Sequence, residues 1–271
     1  MREQEGKFIL FDVAEFAAFL NTLPTSRKVL LVQNHHTFIP SYSDFNGGNH
    51  FARLAAMETA HLQRGFDEIA QNLTTFPDGT VAVCRPFDIA PAGIKGANSN
   101  GLCIENLGNF DAGHDVMAGP QRDCIIRVNA LLCRKFKLTP DSSSIVFHHW
   151  YDLTTGQRTN GTGTTKTCPG TAFFGGNSVS SAEANFIPLI IRELASLPQA
   201  GAPADPVALL SAEVIADSLN VRSEPDPSSA ILAALARGAN VQVFEKRNGW
   251  DRIDPIESHW VKGSFLRKIG P

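Results

Sequence analysis

Thr164-Thr165-Lys166-Thr167-Cys168-Pro169-Gly170 is the stretch around which the chain is organised. A lysine stands two positions before a cysteine, and the cysteine runs straight into a Pro-Gly turn. Cysteine is a soft ligand for zinc, and a nearby ammonium favours its thiolate form. Two histidine pairs lie upstream, His35-His36 and His148-His149. One histidine from each pair together with Cys168 makes a three-ligand set with an open fourth position. That is the pattern of a catalytic rather than a structural zinc.

Working outward, each histidine pair ends an apolar run. Val29-Leu30-Leu31-Val32 leads to Asn34-His35-His36-Thr37, and Ser144-Ile145-Val146-Phe147 leads to His148-His149. Continuous apolar runs of this length read as buried strands. Gly101 to Asn109 alternates as a further strand, with Cys103, Glu105 and Leu107 on one face. Pro77-Asp78-Gly79 between Leu73–Thr75 and Thr80–Val83 signals a hairpin. Helical spacing covers Glu15–Leu20, Phe51–Gln63, Pro120–Lys137 and Ser181–Leu197, with Pro120 suited to a first turn. The expected fold is α/β, a mixed central sheet flanked by helices over residues 1–196. A Pro-, Gly- and Ala-rich linker is expected at 197–212. Short strand-like runs at 219–222, 241–244, 250–253 and 260–262 predict a small SH3-like β-barrel over 213–271.

Of 271 residues, 43% are hydrophobic and 19% charged, and the net charge is -3. This composition predicts a folded protein and gives no basic footprint for nucleic acid. The apolar run after Lys7 is broken by Asp12 and Glu15, so neither a signal peptide nor a membrane span is expected. The five cysteines (Cys84, Cys103, Cys124, Cys133 and Cys168) are odd in number and include no CxxC, which argues against a disulfide framework. Synthesis in a reducing cytoplasm is expected, with any delivery to a cell wall by a non-classical route.

Four stretches, in order over some 170 residues, resemble the type-2 N-acetylmuramoyl-L-alanine amidases, the zinc amidases related to T7 lysozyme, AmpD-type enzymes and peptidoglycan recognition proteins. They are Leu31–Thr37; Pro77-Asp78-Gly79-Thr80 with Arg85-Pro86; Gly101–Glu105 with Gly108-Asn109-Phe110; and Ile145–His148 with Lys166–Gly170. The resemblance implies hydrolysis of the amide between the lactyl group of MurNAc and L-Ala, with peptidoglycan or muropeptides as partner. It implies Zn2+ held by His36, His148 and Cys168, with Glu105 as general base. It also implies Lys166 as oxyanion stabiliser, a role typically worth ~3 kcal/mol. Asn109, Gln71 and Arg85 are its candidate substrate contacts. Gln71 stands where one branch has a catalytic tyrosine, which leaves the acid–base role to Glu105. Residues 213–271 resemble bacterial SH3b domains through Leu219–Ser223, Pro225, Asn248-Gly249-Trp250 and Trp260-Val261, which implies wall binding; Trp250 and Trp260 read equally as core.

Several positions keep two readings. His35 and His149 are ligand neighbours or packing residues. Trp150 and Tyr151 form a substrate wall or core, and the loop from Asp152 to Thr165 lines the cleft or is a solvated insertion. Cys84, Cys103 and Cys133 read as buried thiols, and His61 as a hydrogen-bonded structural residue. The competing function is a non-catalytic peptidoglycan recognition module. A phage-type lysin, a cargo of an injection apparatus and a cytosolic recycling enzyme all fit the expected delivery.

Overall fold

The computed structural model describes residues 2–197, 208–255 and 257–269. The chain divides into two compact units, Met1–Leu197 and Pro198–Pro271. The first is built on a mixed seven-stranded sheet. Its strands are β1 (Glu3–Glu5), β2 (Phe8–Phe11), β3 (Leu31–His36), β4 (Leu73–Thr75), β5 (Val81–Val83), β6 (Gly101–Asn106) and β7 (Ile145–Phe147). They lie in the order β1-β2-β5-β4-β6-β3-β7. β3 runs parallel to β6 and β7, and β4 parallel to β6, while β2, β4 and β5 pair antiparallel.

The helices are α1 (Val13–Thr22), α2 (His50–Gln63), α3 (Gly119–Phe136), α4 (Val179–Ser181) and α5 (Ile187–Ser196). A π-helical turn, Ala182–Phe186, joins α4 to α5, so the helix expected from Ser181 begins two residues earlier and is not uniform. Residue alternation along the strands sorts two cores. Phe11, Val81 and Val83 face the cluster that contains Phe16, Leu20, Ile125 and Leu132 from α1 and α3. Phe8, Leu10 and Ala82 face Leu54 and Met57 of α2. The sheet is therefore the middle of three layers.

α3 has no side-chain N-cap, and its place is set by packing. Cys124, Ile125, Val128, Leu131 and Leu132 are all buried. Each buried aliphatic contributes about 1.5–3 kcal/mol, more than a typical cap at ~1 kcal/mol. A buried reciprocal amide pair fixes the docking: Asn34 Nδ2 donates to Asn129 Oδ1 at 2.9 Å, and Asn129 Nδ2 to Asn34 Oδ1 at 3.1 Å. This pair also fixes which side chains of β3 look toward α3. The hairpin β1–β2 is a difference from the sequence expectation. Its apolar run is short and ends at Asp12, which caps α1 by accepting from Glu15 N–H at 2.8 Å, so the strand and the helix share one hydrophobic stretch.

The second unit comprises β8 (Leu210–Val214), β9 (Ser218–Arg222), β10 (Ile231–Ala236), β11 (Asn240–Val243), β12 (Glu245–Arg247), β13 (Trp250–Arg252), β14 (Trp260–Lys262) and β15 (Leu266–Ile269). They form a five-stranded and a three-stranded antiparallel sheet around Val214, Leu219, Val221 and Val261. Trp250 and Trp260 are buried. Most of the expected linker, 198–207, lies outside the described residues, and its last residues, 210–212, belong to β8. No helix among the described residues is long and apolar enough to cross a membrane.

Candidate metal centre

The strand register assembles the site. In the parallel pair β3–β6, His35 lies opposite Glu105. In β3–β7, Asn34 lies opposite Phe147, so the chain leaves β7 with His148 beside His35. Successive residues of a strand point to opposite faces. Asn34 faces α3, as its bond to Asn129 shows, and His35 therefore faces the α2 side with Glu105.

Cys168 comes in from the loop after β7. Asp111 holds both flanks of that turn, accepting from Thr167 Oγ1 and from Thr171 N–H, each at 2.9 Å. His149 N–H donates to Cys168 O at 2.7 Å. Gly170 follows with φ +120°, and a Cβ there would lie 2.4 Å from the Phe110 backbone, so the turn admits only glycine. The Asp152–Thr165 insertion is closed on itself: the Asp152 carboxylate accepts from the N–H groups of Thr154, Thr155 and Thr164. Of the segment from Asp152 to Cys168, only Lys166, Thr167 and Cys168 reach the cavity.

His35, His148 and Cys168 each offer a ligand atom within 4.8 Å of the other two, and all three are buried. The Nδ1 atoms of His35 and His148 are 3.2 Å apart. A tetrahedral zinc with Zn–N of ~2.0–2.1 Å separates two nitrogens by roughly 3.3 Å, so this pair fits the ion. Burial, then the charges of His148, Lys166 and His36, push the His35 pKa well below its ordinary value. Burial, Lys166 and His36 take His148 down to about 4. Both rings are therefore neutral at pH 7 and present lone pairs. Burial pushes the Cys168 thiol well up, with Glu105 adding to the effect; a coordinated cation reverses that preference. A donor set of two imidazoles and one thiolate fits the ligand preferences of zinc.

His36, the residue implied by resemblance, is not in this group. It lies one residue further along β3, and its Nδ1 accepts from Phe110 N–H at 3.1 Å. The structure brings His35, and not His36, within reach of both His148 and Cys168, because strand alternation separates the two adjacent rings, although both border the adjoining cavity. A second trio, His35, Cys103 and Glu105, shares His35 with the first.

One cavity of about 780 Å³ joins these groups, with His35, Glu105, His148, Lys166 and Cys168 on its sheet side. Burial pushes Glu105 up to about 8, against the pull of Lys166 and Arg64. Its Oε2 is buried and unpartnered, as is Nε2 of His35. Gly93 closes this end: a Cβ there would sit 2.3 Å from Gln33 Oε1 and 3.1 Å from His35 Nε2.

The three candidate substrate contacts do not line the cavity. Arg85 is buried and donates to the carbonyls of Ile69 and Ala90 at 2.8 and 2.6 Å, which makes it a clamp on its own loop. Asn109 accepts from Asp111 N–H at 3.1 Å in the loop after β6. Gln71 is fully buried and donates to Thr74 Oγ1 at 3.0 Å. Trp150 is core, packed on Phe147 and donating to Asn177 O at 2.7 Å. His61 accepts from Ala70 N–H at 3.1 Å. The opposite wall of the cavity is α2 and its end, with Arg53, Met57, Ala60 and Arg64. The arginines were not singled out from the sequence, although their spacing with Met57 and Ala60 follows one helical face.

The family model described as N-acetylmuramoyl-L-alanine amidase matches residues 25–171, more than half of the chain. The model described as bacterial SH3 domain matches 217–267. No curated protein matches the chain in sequence. Among solved structures, wild-type Drosophila PGRP-LB is 17% identical with TM-score 0.46, covering 59% of this chain and 82% of its own. The endolysin N-acetylmuramoyl-L-alanine amidase LysCS from Clostridium intestinale URNW is 19% identical with TM-score 0.40, covering 56% and 78%. On the match over 25–171, which contains His35, Glu105, His148, Lys166 and Cys168, the chain belongs to the N-acetylmuramoyl-L-alanine amidase family.

Proposed function

We propose that this chain is a zinc-dependent amidase that cleaves the amide between the MurNAc lactyl group and L-Ala of peptidoglycan. The observation that carries the reading is the His35–His148–Cys168 group set in the wall of a 780 Å³ cavity that Glu105 and Lys166 also line. His35, His148 and Cys168 would hold the ion. When bound, zinc supplies Lewis-acid chemistry, polarising a carbonyl and making water acidic near neutral pH.

The remaining work falls to side chains of this protein. Glu105, with a pKa of about 8, can take and return a proton close to neutral pH, where general acid–base catalysis is most effective. It is the proton carrier between the attacking water and the leaving amine. Lys166 stands at the cavity wall with its position fixed by its own backbone: His149 Nδ1 donates to Lys166 O at 2.7 Å. Its ammonium stabilises negative charge that develops on the carbonyl oxygen. The SH3-like unit serves to hold the enzyme on its insoluble substrate, where tethering raises the effective concentration of cleavable bonds.

Digestion of purified peptidoglycan with and without a chelator, followed by mass spectrometry, tests the reading. Stem peptides with a free L-Ala amine, lost on chelation and restored by zinc, are expected. A second reading is a recognition module that binds the same stem without cutting it. Gln71 favours it, because an amide replaces the tyrosine that the resemblance places there. Zinc binding and peptide binding with no released peptide would establish that second reading.

A further inference from the structure

Beside the His35–His148–Cys168 group lies a second set of donors, two of which, Gln33 and Cys103, have no task in the amidase reading. In the parallel pair β3–β6, Gln33 stands opposite Cys103 and His35 opposite Glu105, so four polar side chains occupy two successive rungs of one sheet face. His35, Cys103 and Glu105 each offer a ligand atom within 4.8 Å of the other two. Gln33 adds a fourth. Its Nε2 donates to Ala97 O at 3.0 Å, which fixes the amide and leaves Oε1 facing Gly93. A Cβ on Gly93 would lie 2.3 Å from that Oε1, 2.9 Å from Cys103 Sγ and 3.1 Å from His35 Nε2. The three atoms thus converge on one small space that the glycine leaves open.

These atoms have no other partners. Among the described residues six buried side-chain nitrogen or oxygen atoms lack a hydrogen bond, and three of them are Gln33 Oε1, His35 Nε2 and Glu105 Oε2. Gln33, His35 and Cys103 are 0%, 2% and 0% exposed. The thiols of Cys84, Cys124 and Cys168 each have a hydrogen-bond partner, whereas Cys103 Sγ makes no hydrogen bond among the described residues. Buried polar atoms are normally paired, and orphans that share one space are satisfied together by a common ligand. Thiolate, imidazole and oxygen donors in one group suit a thiophilic divalent cation such as Zn2+, whose contacts of ~2.0–2.3 Å match the scale of this space. His35, Gly93 and Glu105 line the cavity, which gives an ion a route in.

We propose that His35, Cys103 and Glu105, with Gln33 Oε1, form a second metal position for a thiophilic divalent cation, alternative to the His35–His148–Cys168 position. The two positions share one imidazole. Its Nδ1 stands 3.2 Å from His148 Nδ1, while its Nε2 shares the space at Gly93 with Cys103 and Gln33. A neutral imidazole has one lone pair to give, so a chain holds one ion at a time. Binding takes Cys103 as thiolate and Glu105 as carboxylate; the thiol proton, and the carboxyl proton where Glu105 carries one, pass to solvent. An ion held there occupies Glu105 and leaves His148 and Cys168 without metal, which stores the ion in an inactive chain. The position stands on its own donors; that it silences the chain rests on the amidase reading.

The test is a titration of the metal-free full chain with Co2+ under reducing conditions. The near-ultraviolet charge-transfer band from thiolate to cobalt is recorded for the wild type, Cys103→Ser, Cys168→Ser and the double variant. Cys168→Ser is expected to keep the band with one Co2+ per chain, because Cys103 supplies the thiolate. The double variant is expected to lose the band and to bind Co2+ more than about 100-fold more weakly than Cys168→Ser. Adding His35→Ala to Cys168→Ser is expected to remove the band with Cys103 still in place. Thermal melts show that each variant is folded, and Cys168→Ala takes the place of Cys168→Ser if the serine unfolds the chain. Absence of the band in the folded Cys168 variant, or a band that survives in the double variant, would overturn the inference. Two ions per wild-type chain would overturn the sharing of His35. A band lost in Cys103→Ser and kept in Cys168→Ser would support the second position and refute the His35–His148–Cys168 centre, so the two readings fail separately.

Discussion

Two neighbouring alanine substitutions give the sharpest check on the site, because strand alternation assigns them opposite consequences. His35→Ala removes a ring whose Nδ1 stands 3.2 Å from that of His148. Loss of a residue that merely orients a zinc ligand costs 10–100-fold in affinity, so loss of the ligand is expected to cost more than about 100-fold. His36→Ala leaves the His35–His148–Cys168 group intact. It removes the acceptor for Phe110 N–H, a bond of 3.1 Å in a buried setting. A buried donor left unsatisfied costs about 1–3 kcal/mol. For a unit of this size each kcal/mol lowers Tm by ~2–4 °C, so a fall of roughly 2–12 °C is expected. His36→Asn, whose side-chain oxygen can take the place of Nδ1, is expected to recover much of that fall. The assay is competition for zinc against a chromogenic chelator, run beside thermal melts. If His36→Ala abolished zinc binding while His35→Ala retained it, the alternation argument would be wrong.

Lys166→Ala is expected to lower kcat about 100-fold with zinc stoichiometry unchanged, the lower end of the range for oxyanion donors because Lys166 is solvent-exposed; steady-state kinetics beside metal analysis checks it. Glu105→Gln is expected to lower kcat by about 10²–10⁴ while the protein still binds zinc, which the same pair of measurements reads. Asp78 tests the pH dependence of stability. Burial raises its pKa, but the 2.7 Å bond to His50 and the bonds from Thr80 outweigh it and hold the group below the ordinary carboxylate value. Its stabilising contribution is thus present above the unfolded pKa and is lost as pH falls through the folded one. Asp78→Asn should therefore lower Tm at pH 7 and converge with the wild type at pH 2–3, in a series of melts. Trp260 is buried in the second unit, so Trp260→Ala is expected to cost that unit ~3–5 kcal/mol, seen as loss of its near-ultraviolet signal.

Much of this architecture is legible before any coordinates. Ile145–Phe147 is apolar because both faces of that strand are covered, and composition records that directly. Pro77-Asp78-Gly79 announces the β4–β5 hairpin through the backbone freedom of glycine, here at φ +87°. The strands at Leu210–Val214, Ile231–Ala236 and Leu266–Ile269 were not anticipated. β10 is mostly exposed, so its sequence lacks the alternation that signals a half-buried strand.

By itself, the sequence named the residue types of the proposed centre: a histidine from each of two pairs, Cys168, Glu105 and Lys166. Local chemistry sets those choices, since each ligand must follow a buried strand or a rigid turn. Which histidine of the first pair faces the centre was decided only by tertiary structure. Adjacent strand residues point in opposite directions, and although both histidines border the cavity, nothing local to His35-His36 says which ring meets His148 and Cys168. That choice is made 95 residues away, where Asn129 of α3 pairs with Asn34 and turns His35 toward Glu105. The same long-range packing tied up Arg85 and Gln71, because a side chain's partners depend on what the fold brings beside it.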